Sequence, residues 1–167
     1  MSQVTFHEDP VTLAGQLPKN GETAPDFHLV AQDLSEKNLA DYGDKFKILN
    51  IFPSVDTGTC AKAARQFNEK AAQLSNTVVL CISADLPFAQ KRFCAAEGLN
   101  NVEMLSAFRS KDFADQYGVA IADSPLAGLC ARAVIVLDGD NRVIYTQLVK
   151  EISDEPDYDS ALKAIQA

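Results

Sequence analysis

The sequence predicts an α/β fold in which a mixed central sheet is flanked by helices and preceded by an N-terminal β-hairpin. Two continuous apolar runs, 46–52 and 77–84, are each followed by a helix-forming segment. A third apolar run, 131–138, is followed by a turn sequence and a second strand. Strands that alternate with helices pair in parallel, whereas a hairpin adds antiparallel strands, so the predicted sheet is mixed.

The first predicted elements are short strands. Residues 3–15 (QVTFHEDPVTLAG) predict a hairpin of two strands that turns around Glu8, Asp9 and Pro10. A further short strand is predicted at 27–30. The run 46–52 is apolar at successive positions, which indicates a strand buried on both faces.

Two helices are predicted on either side of the second long strand. Residues 60–74 predict the first, because apolar side chains recur there at helical spacing (Ala64, Phe67, Ala71 and Leu74). The strand at 77–84 follows. The second helix is predicted at 87–99, with Asp85 as its N-cap and Gly98 as its natural end.

The last third of the chain completes the pattern. In order, it predicts a strand at 102–105, a helix at 110–117, a hairpin with its turn at 138–141, and a helix at 157–165. This order of elements is that of a thioredoxin-like fold with an N-terminal extension. Repeats, low-complexity tracts and linkers are absent from the sequence, so residues 1–167 are predicted to form one domain.

Length and charge exclude several classes of protein. A chain of 167 residues buries about 70% of its unfolded surface, so its core does not need disulfides. The net charge of −8 repels phosphate backbones, which argues against a nucleic-acid partner. No apolar run reaches the about 18 residues of a membrane helix. Because the N-terminus resembles no signal segment, a cytoplasmic location is expected.

The cysteines indicate thiol chemistry rather than a metal site. The chain has four, Cys60, Cys81, Cys94 and Cys130, and none belongs to a CxxC pair. Only His7 and His28 could add imidazole groups, and neither lies near a cysteine in sequence. A zinc site needs three or four clustered ligands and a Cys–His hydrolase needs an adjacent imidazole, so neither is predicted. In a reducing compartment, such cysteines are catalytic or buried.

Cys60 stands where a strand gives way to a helix, at the end of the segment PSVDTGTC. Only a thiolate is a good nucleophile, and an ordinary cysteine is mostly protonated at neutral pH. A helix N-terminus contributes about 0.3–2 kcal/mol to an anion. Lowering a thiol pKa from about 8.5 to about 6 requires about 3.4 kcal/mol. A nucleophilic Cys60 therefore needs a nearby cation as well, and Thr57 can offer a hydroxyl. The alternative is that Cys60 is only a small apolar residue that packs at the start of the helix.

PSVDTGTC also matches the Pro-x-x-x-Thr/Ser-x-x-Cys signature of the peroxiredoxins. The chain resembles their bacterial thiol peroxidase subgroup, an atypical two-cysteine class, over nearly its whole length. The similar segments include LNIFPSVDTGTC, VVLCISADLPFAQKRFC, GLNNV, YGVAIADSPL, ARAVIVLD and EPDYDSAL. The resemblance implies that Cys60 is the peroxidatic and Cys94 the resolving cysteine. It further implies that Arg132 pairs with the thiolate, that Thr57 orients peroxide and thiolate, and that Pro53 shields the sulfur.

The activity implied by the resemblance is that of a thioredoxin-dependent peroxidase. It would reduce hydrogen peroxide and alkyl or lipid hydroperoxides to water or alcohols through a Cys60 sulfenic acid. An intramolecular Cys60–Cys94 disulfide would follow and be reduced by thioredoxin. The resemblance also implies a homodimer and no metal, haem or flavin.

Two other functions use the same thiols. A redox sensor or relay module could control a partner protein through a Cys60–Cys94 switch, although a sensor does not need Thr57 and Arg132. A thiol–disulfide exchanger is disfavoured, because Thr57 occupies the place of the first cysteine of a CxxC pair.

The remaining thiols carry separate expectations. Cys94 lies between Lys91–Arg92 and Glu97, so partial exposure is expected, with a core cysteine as the alternative. Two helices are not expected to hold Cys60 and Cys94 within the about 6 Å between Cα atoms that a disulfide requires. We therefore expect local unfolding of both segments in each cycle. Cys81, inside a buried strand, is expected to be packing, and Cys130 to be inert.

Overall fold

The computed structural model describes residues 3–166. The predicted domain of residues 1–167 also includes Met1, Ser2 and Ala167, which lie outside the described residues. The strands are β1 (Gln3–Phe6), β2 (Asp9–Ala14), β3 (Leu29–Ala31), β4 (Glu36–Lys37), β5 (Phe46–Ile51), β6 (Thr77–Ser83), β7 (Glu103–Ser106), β8 (Ala120–Ile121), β9 (Ala133–Leu137) and β10 (Val143–Leu148). The helices are α1 (Gly58–Ala71), α2 (Pro87–Glu97), α3 (Lys111–Gln116) and α4 (Tyr158–Gln166), with a 3-10 helix at Leu39–Tyr42.

A seven-stranded mixed sheet forms the centre, in the order β10-β9-β5-β6-β7-β3-β4. The βα units place β5, β6 and β7 in parallel, while β9, β10, β3 and β4 add antiparallel pairs on both sides. The predicted N-terminal hairpin is β1–β2, although its turn is at His7 and Glu8 and the predicted turn residues Asp9 and Pro10 belong to β2. β8 joins the hairpin to make a separate three-stranded sheet. The thioredoxin-like fold predicted from the sequence is confirmed.

Successive residues of the central strands point to opposite faces of the sheet, and an apolar layer covers each face. On one face, Ile48, Val79 and Val134 pack with side chains of α1, α2 and α4. On the other face, Leu49 and Leu80 pack with the hairpin and with α3. Burial of both faces explains why the central strands are apolar at successive positions.

Asp85 differs from its predicted role. It is not the N-cap of α2; Leu86 occupies that position and makes no side-chain hydrogen bond to the helix. The Asp85 carboxylate instead accepts hydrogen bonds from the Ser54 hydroxyl (2.8 Å), the Val55 N–H (2.9 Å) and the Ser83 hydroxyl (2.5 Å). The carboxylate thus ties the loop before α1 to the end of β6.

Within residues 3–166, no helix is both long enough and apolar enough to cross a membrane.

Candidate active site

Cys60 lies in the first turn of α1, directly after the end of β5. Thr57 is the N-cap residue of this helix, and its Oγ1 accepts a hydrogen bond from the Cys60 N–H at 3.2 Å. Side chains in this turn face the positive end of the helix dipole, which stabilises an anion. Cys60 is fully buried, so its sulfur is also shielded from water.

Arg132 is placed beside Cys60 by the register of the central sheet. β9 runs antiparallel to β5, and Ala133 pairs with Ile51, the last residue of β5. Arg132 therefore lies opposite the point where the chain leaves β5 for α1. Its Nη2 is 3.2 Å from the Cys60 Sγ, and its Nε donates to the Ile152 carbonyl at 2.8 Å.

The Arg132 guanidinium is almost completely buried, with 1% of the residue exposed. Among residues 3–166, no carboxylate forms an ion pair with it, and its Nη1 has no hydrogen-bond partner. A buried cation is costly unless a negative group compensates it. Nη2 therefore donates to the Cys60 sulfur, and Nη1 keeps a hydrogen available for a further acceptor.

A cavity of about 270 Å³ lies beside Thr57 and Arg132, the two residues that hydrogen-bond Cys60, although Cys60 itself does not line it. Thr57 and Arg132 supply polar groups to its wall. Five apolar residues make up much of the remaining wall: Phe6, Pro53, Leu126, Leu129 and Ile152. Larger cavities exist, such as one of about 450 Å³ beside His28 and Arg109, but the predicted site residues do not line it. The cavity beside Cys60 is therefore the place where a small polar group and an apolar group can bind together.

Four of the five predicted site residues thus meet at one place, and the fifth does not. Pro53, Thr57 and Arg132 line the cavity beside Cys60, whereas Cys94 is absent from its wall. Cys94 lies on α2 and belongs to the same buried apolar cluster as Cys60.

The expected partial exposure of Cys94 is wrong, since the residue is 7% exposed. It lies one helical turn after Gln90, which is fully buried and whose Nε2 donates to the Ser83 hydroxyl and the Leu105 carbonyl. Burial raises the pKa of the Cys94 thiol, and the neighbouring Gln32 side chain opposes this effect. In this conformation Cys94 is a poor nucleophile.

Cys81 is buried, as expected for a packing residue, and Cys130 is buried too. Burial raises the pKa of each thiol to about 12, so both are protonated at neutral pH. Neither lines the cavity beside Cys60, although Cys130 borders a separate cavity of about 460 Å³. All four cysteines of the chain are free thiols in this structure.

Residues 3–166 contain no group of three or more His, Cys, Asp or Glu side chains that could hold a metal ion.

Several residues at the site were not predicted from the sequence. They are the cavity residues Phe6, Leu126, Leu129 and Ile152, and Asp85, which holds the loop before α1. Each lies far along the chain from Cys60 and belongs to an ordinary apolar or turn segment. No local pattern could have identified them, because only the tertiary fold brings them to the sulfur.

Comparisons with known proteins identify the family of the chain. The chain matches the Redoxin family over residues 19–162. It is 52% identical over 165 residues to a thiol peroxidase of Corynebacterium glutamicum, covering 99% of each chain. It superposes on the crystal structure of a peroxiredoxin-like protein from Aquifex aeolicus with a TM-score of 0.93 and 40% identity, covering 99% of this chain and 97% of that one. A thiol peroxidase from Chromobacterium violaceum gives a TM-score of 0.88 and 27% identity, with 98% and 95% covered. The chain therefore belongs to the redoxin family, and within it to the thiol peroxidases of the peroxiredoxin type.

Proposed function

We propose that Cys60 is the peroxidatic nucleophile of this thiol peroxidase and that it reduces hydrogen peroxide and organic hydroperoxides. The observation that carries the proposal is the 3.2 Å contact between Arg132 Nη2 and the Cys60 sulfur in a buried site. A guanidinium in that position stabilises the thiolate before attack and the negative charge that develops on the departing oxygen.

The first step is a two-electron oxidation of Cys60. The thiolate attacks one oxygen of ROOH, the O–O bond breaks, and the other oxygen leaves as ROH after taking up a proton. Cys60 becomes a sulfenic acid. The unpartnered Nη1 of Arg132 and the Thr57 hydroxyl, which donates to the Ser54 carbonyl at 3.3 Å, are suited to hold the peroxide oxygens. Pro53 helps to close the site against water.

The organic substrates are proposed from the cavity wall. Phe6, Leu126, Leu129 and Ile152 give the cavity an apolar side opposite its polar groups. An alkyl or lipid chain next to a hydroperoxide group has the same division into an apolar and a polar part.

We assign the second half of the cycle to Cys94. Its thiol would condense with the Cys60 sulfenic acid, forming an intramolecular disulfide and releasing water. Both residues are buried on different helices, which supports local unfolding of these segments during the cycle. Exchange with the dithiol of thioredoxin would return two thiols and leave thioredoxin oxidised. The proposed location is the cytoplasm, where thioredoxin keeps thiols reduced.

Replacement of Cys94 by serine tests this half of the cycle. The variant is expected to reduce one equivalent of peroxide per chain, because Cys60 is intact. Steady-state NADPH oxidation with thioredoxin and its reductase should fall at least about tenfold, since no internal disulfide forms. Undiminished turnover in Cys94→Ser would assign the resolving step to another thiol.

A homodimer is also proposed, through an exposed apolar patch defined by Leu34, Leu86, Phe88 and Phe108. These four large apolar side chains are 45–65% exposed and line one groove. Clustered apolar side chains on a surface mark sites of protein association. A second copy of the chain is the proposed occupant, in line with the family resemblance.

Charge placed in this patch is expected to weaken the dimer. Phe88→Glu should raise the dimer dissociation constant at least about tenfold, because it puts a carboxylate in the apolar contact. Ala96→Glu, on an exposed position of the same helix but outside the patch, is the matched control. Sedimentation velocity measures both; a wild-type monomer, or a Phe88→Glu dimer of unchanged affinity, contradicts the assignment.

A further inference from the structure

The turn of the N-terminal hairpin forms part of the cavity beside Cys60. Phe6 and His7 line this cavity. A single distant carboxylate, that of Glu151, holds the turn. Its Oε1 accepts hydrogen bonds from the Glu8 N–H at 2.9 Å and from the Thr5 hydroxyl at 2.9 Å, and its Oε2 accepts from the His7 N–H at 3.2 Å.

Glu151 also precedes Ile152, whose backbone carbonyl, rather than the Glu151 side chain, accepts the hydrogen bond from Arg132. Its Oε2 accepts hydrogen bonds from the Ser153 N–H and hydroxyl at 2.9 and 2.5 Å. The intervening Ile152 donates its N–H to the Thr5 carbonyl at 2.8 Å and accepts from Arg132 Nε. The segment 151–153 therefore connects the hairpin with the residue that contacts Cys60.

The hairpin turn depends on this external support. His7 and Glu8 form a two-residue turn in which both have positive φ, 51° and 72°. Two-residue turns of this kind favour Asn-Gly, because side chains with a Cβ are disfavoured at positive φ. The sequence His-Glu lacks that preference. Glu151 compensates for this unfavourable turn sequence by accepting hydrogen bonds from the N–H groups of both turn residues.

The Glu151 carboxylate is ionised at neutral pH. Burial alone would raise the pKa of Glu151, but hydrogen bonds from Ser153, Glu8 and Thr5 together hold it well below its usual range. A full negative charge therefore faces the two turn N–H groups, which strengthens those hydrogen bonds.

We propose that Glu151 is a positioning residue that fixes the hairpin turn as one wall of the substrate cavity and thereby favours organic hydroperoxides over hydrogen peroxide. The inference rests on the proposed function. Hydrogen peroxide is small enough to need only Cys60, Thr57 and Arg132. A larger hydroperoxide also places its organic group against Phe6, so its rate depends on the position of the turn.

The test compares two peroxides in single-turnover reactions of the reduced full-length protein. Loss of the free Cys60 thiol is followed by quenching and mass spectrometry with cumene hydroperoxide and with hydrogen peroxide. Glu151→Gln keeps the size of the side chain but turns amide hydrogens towards the turn. Its ratio of organic to hydrogen peroxide rate constants is expected to fall about tenfold, while the hydrogen peroxide rate stays within about twofold.

Three further variants separate selectivity from general damage. Phe6→Ala should lower the same ratio, because it removes the wall without touching the carboxylate. Glu8→Gly in the Glu151→Gln background should restore the ratio, because glycine adopts a positive φ without strain. Glu69→Gln, on the exposed face of α1, removes the same charge and should leave the ratio unchanged.

An equal slowing of both peroxides in Glu151→Gln would overturn the inference, because a merely structural role predicts it. So would an unchanged ratio in Glu151→Gln or Phe6→Ala, or a ratio that Glu8→Gly fails to restore. A wild-type protein in which Cys60 consumes neither peroxide would instead overturn the proposed function itself.

Discussion

Cys60→Ser is expected to abolish peroxide reduction, with a loss of at least about 10³-fold in the rate with any hydroperoxide. A serine hydroxyl remains protonated near Arg132, so the anion that attacks the O–O bond is lost. The substitution is nearly isosteric, and the folded structure should persist because Thr57 still caps α1 through the backbone N–H of residue 60. The rate of peroxide consumption measures the effect, and circular dichroism checks that the variant is folded.

The matched control for this loss is another buried cysteine. Cys130→Ser should retain activity close to that of the wild type, because Cys130 does not line the cavity beside Cys60 and its thiol is protonated. Residual turnover in Cys60→Ser comparable to that of Cys130→Ser would contradict the assignment of the nucleophile.

Arg132→Lys is expected to reduce the rate of peroxide reduction by about 10²- to 10³-fold, although it conserves the charge. The guanidinium contacts the Cys60 sulfur and the Ile152 carbonyl through different nitrogens and leaves a third free. A lysine ammonium is one compact group that does not reproduce this fork. Alkylation of Cys60 by iodoacetamide at pH 7 should slow in parallel, because thiolate stabilisation weakens.

Arg142→Lys provides the control for this substitution. Arg142 lies exposed in the β9–β10 turn region, so both peroxide reduction and alkylation should be unchanged. If Arg132→Lys reduced peroxide as fast as Arg142→Lys, the guanidinium geometry would have no part in the reaction.

The sequence predicted the parts of the site that depend on neighbouring residues. The order of apolar runs and turn residues placed Cys60 at a strand-to-helix junction, and the structure has it in the first turn of α1. The need for a cation followed from the energetics of a thiolate. The identity of that cation came from the family resemblance, because Arg132 is 72 residues from Cys60 and only the register of β9 on β5 joins them.

The exposure of Cys94 was mispredicted because charged neighbours do not decide which face of a short helix is buried. Lys91, Arg92 and Glu97 are exposed, yet Cys94 and Gln90 point to the core. Gln90 donates hydrogen bonds to Ser83 and Leu105, which lie on strands β6 and β7, and no pattern in the sequence of the helix indicates these partners. Strands β4 and β8 also lack a sequence signal. Each has only two residues and is a strand only because a partner strand lies beside it.

Asp85 has a consequence for the timing of the proposed cycle. Its carboxylate is shared between Ser54 and Val55, before α1, and Ser83, while its own backbone continues directly into α2. Withdrawal of either thiol-bearing segment from the body of the protein thus strains one common set of bonds. If the two segments unfolded independently, both would be open at once with a probability equal to the product of their separate probabilities. Because they share the bonds of Asp85, they are expected to open as one event. The Cys60 sulfenic acid would then react with Cys94 sooner.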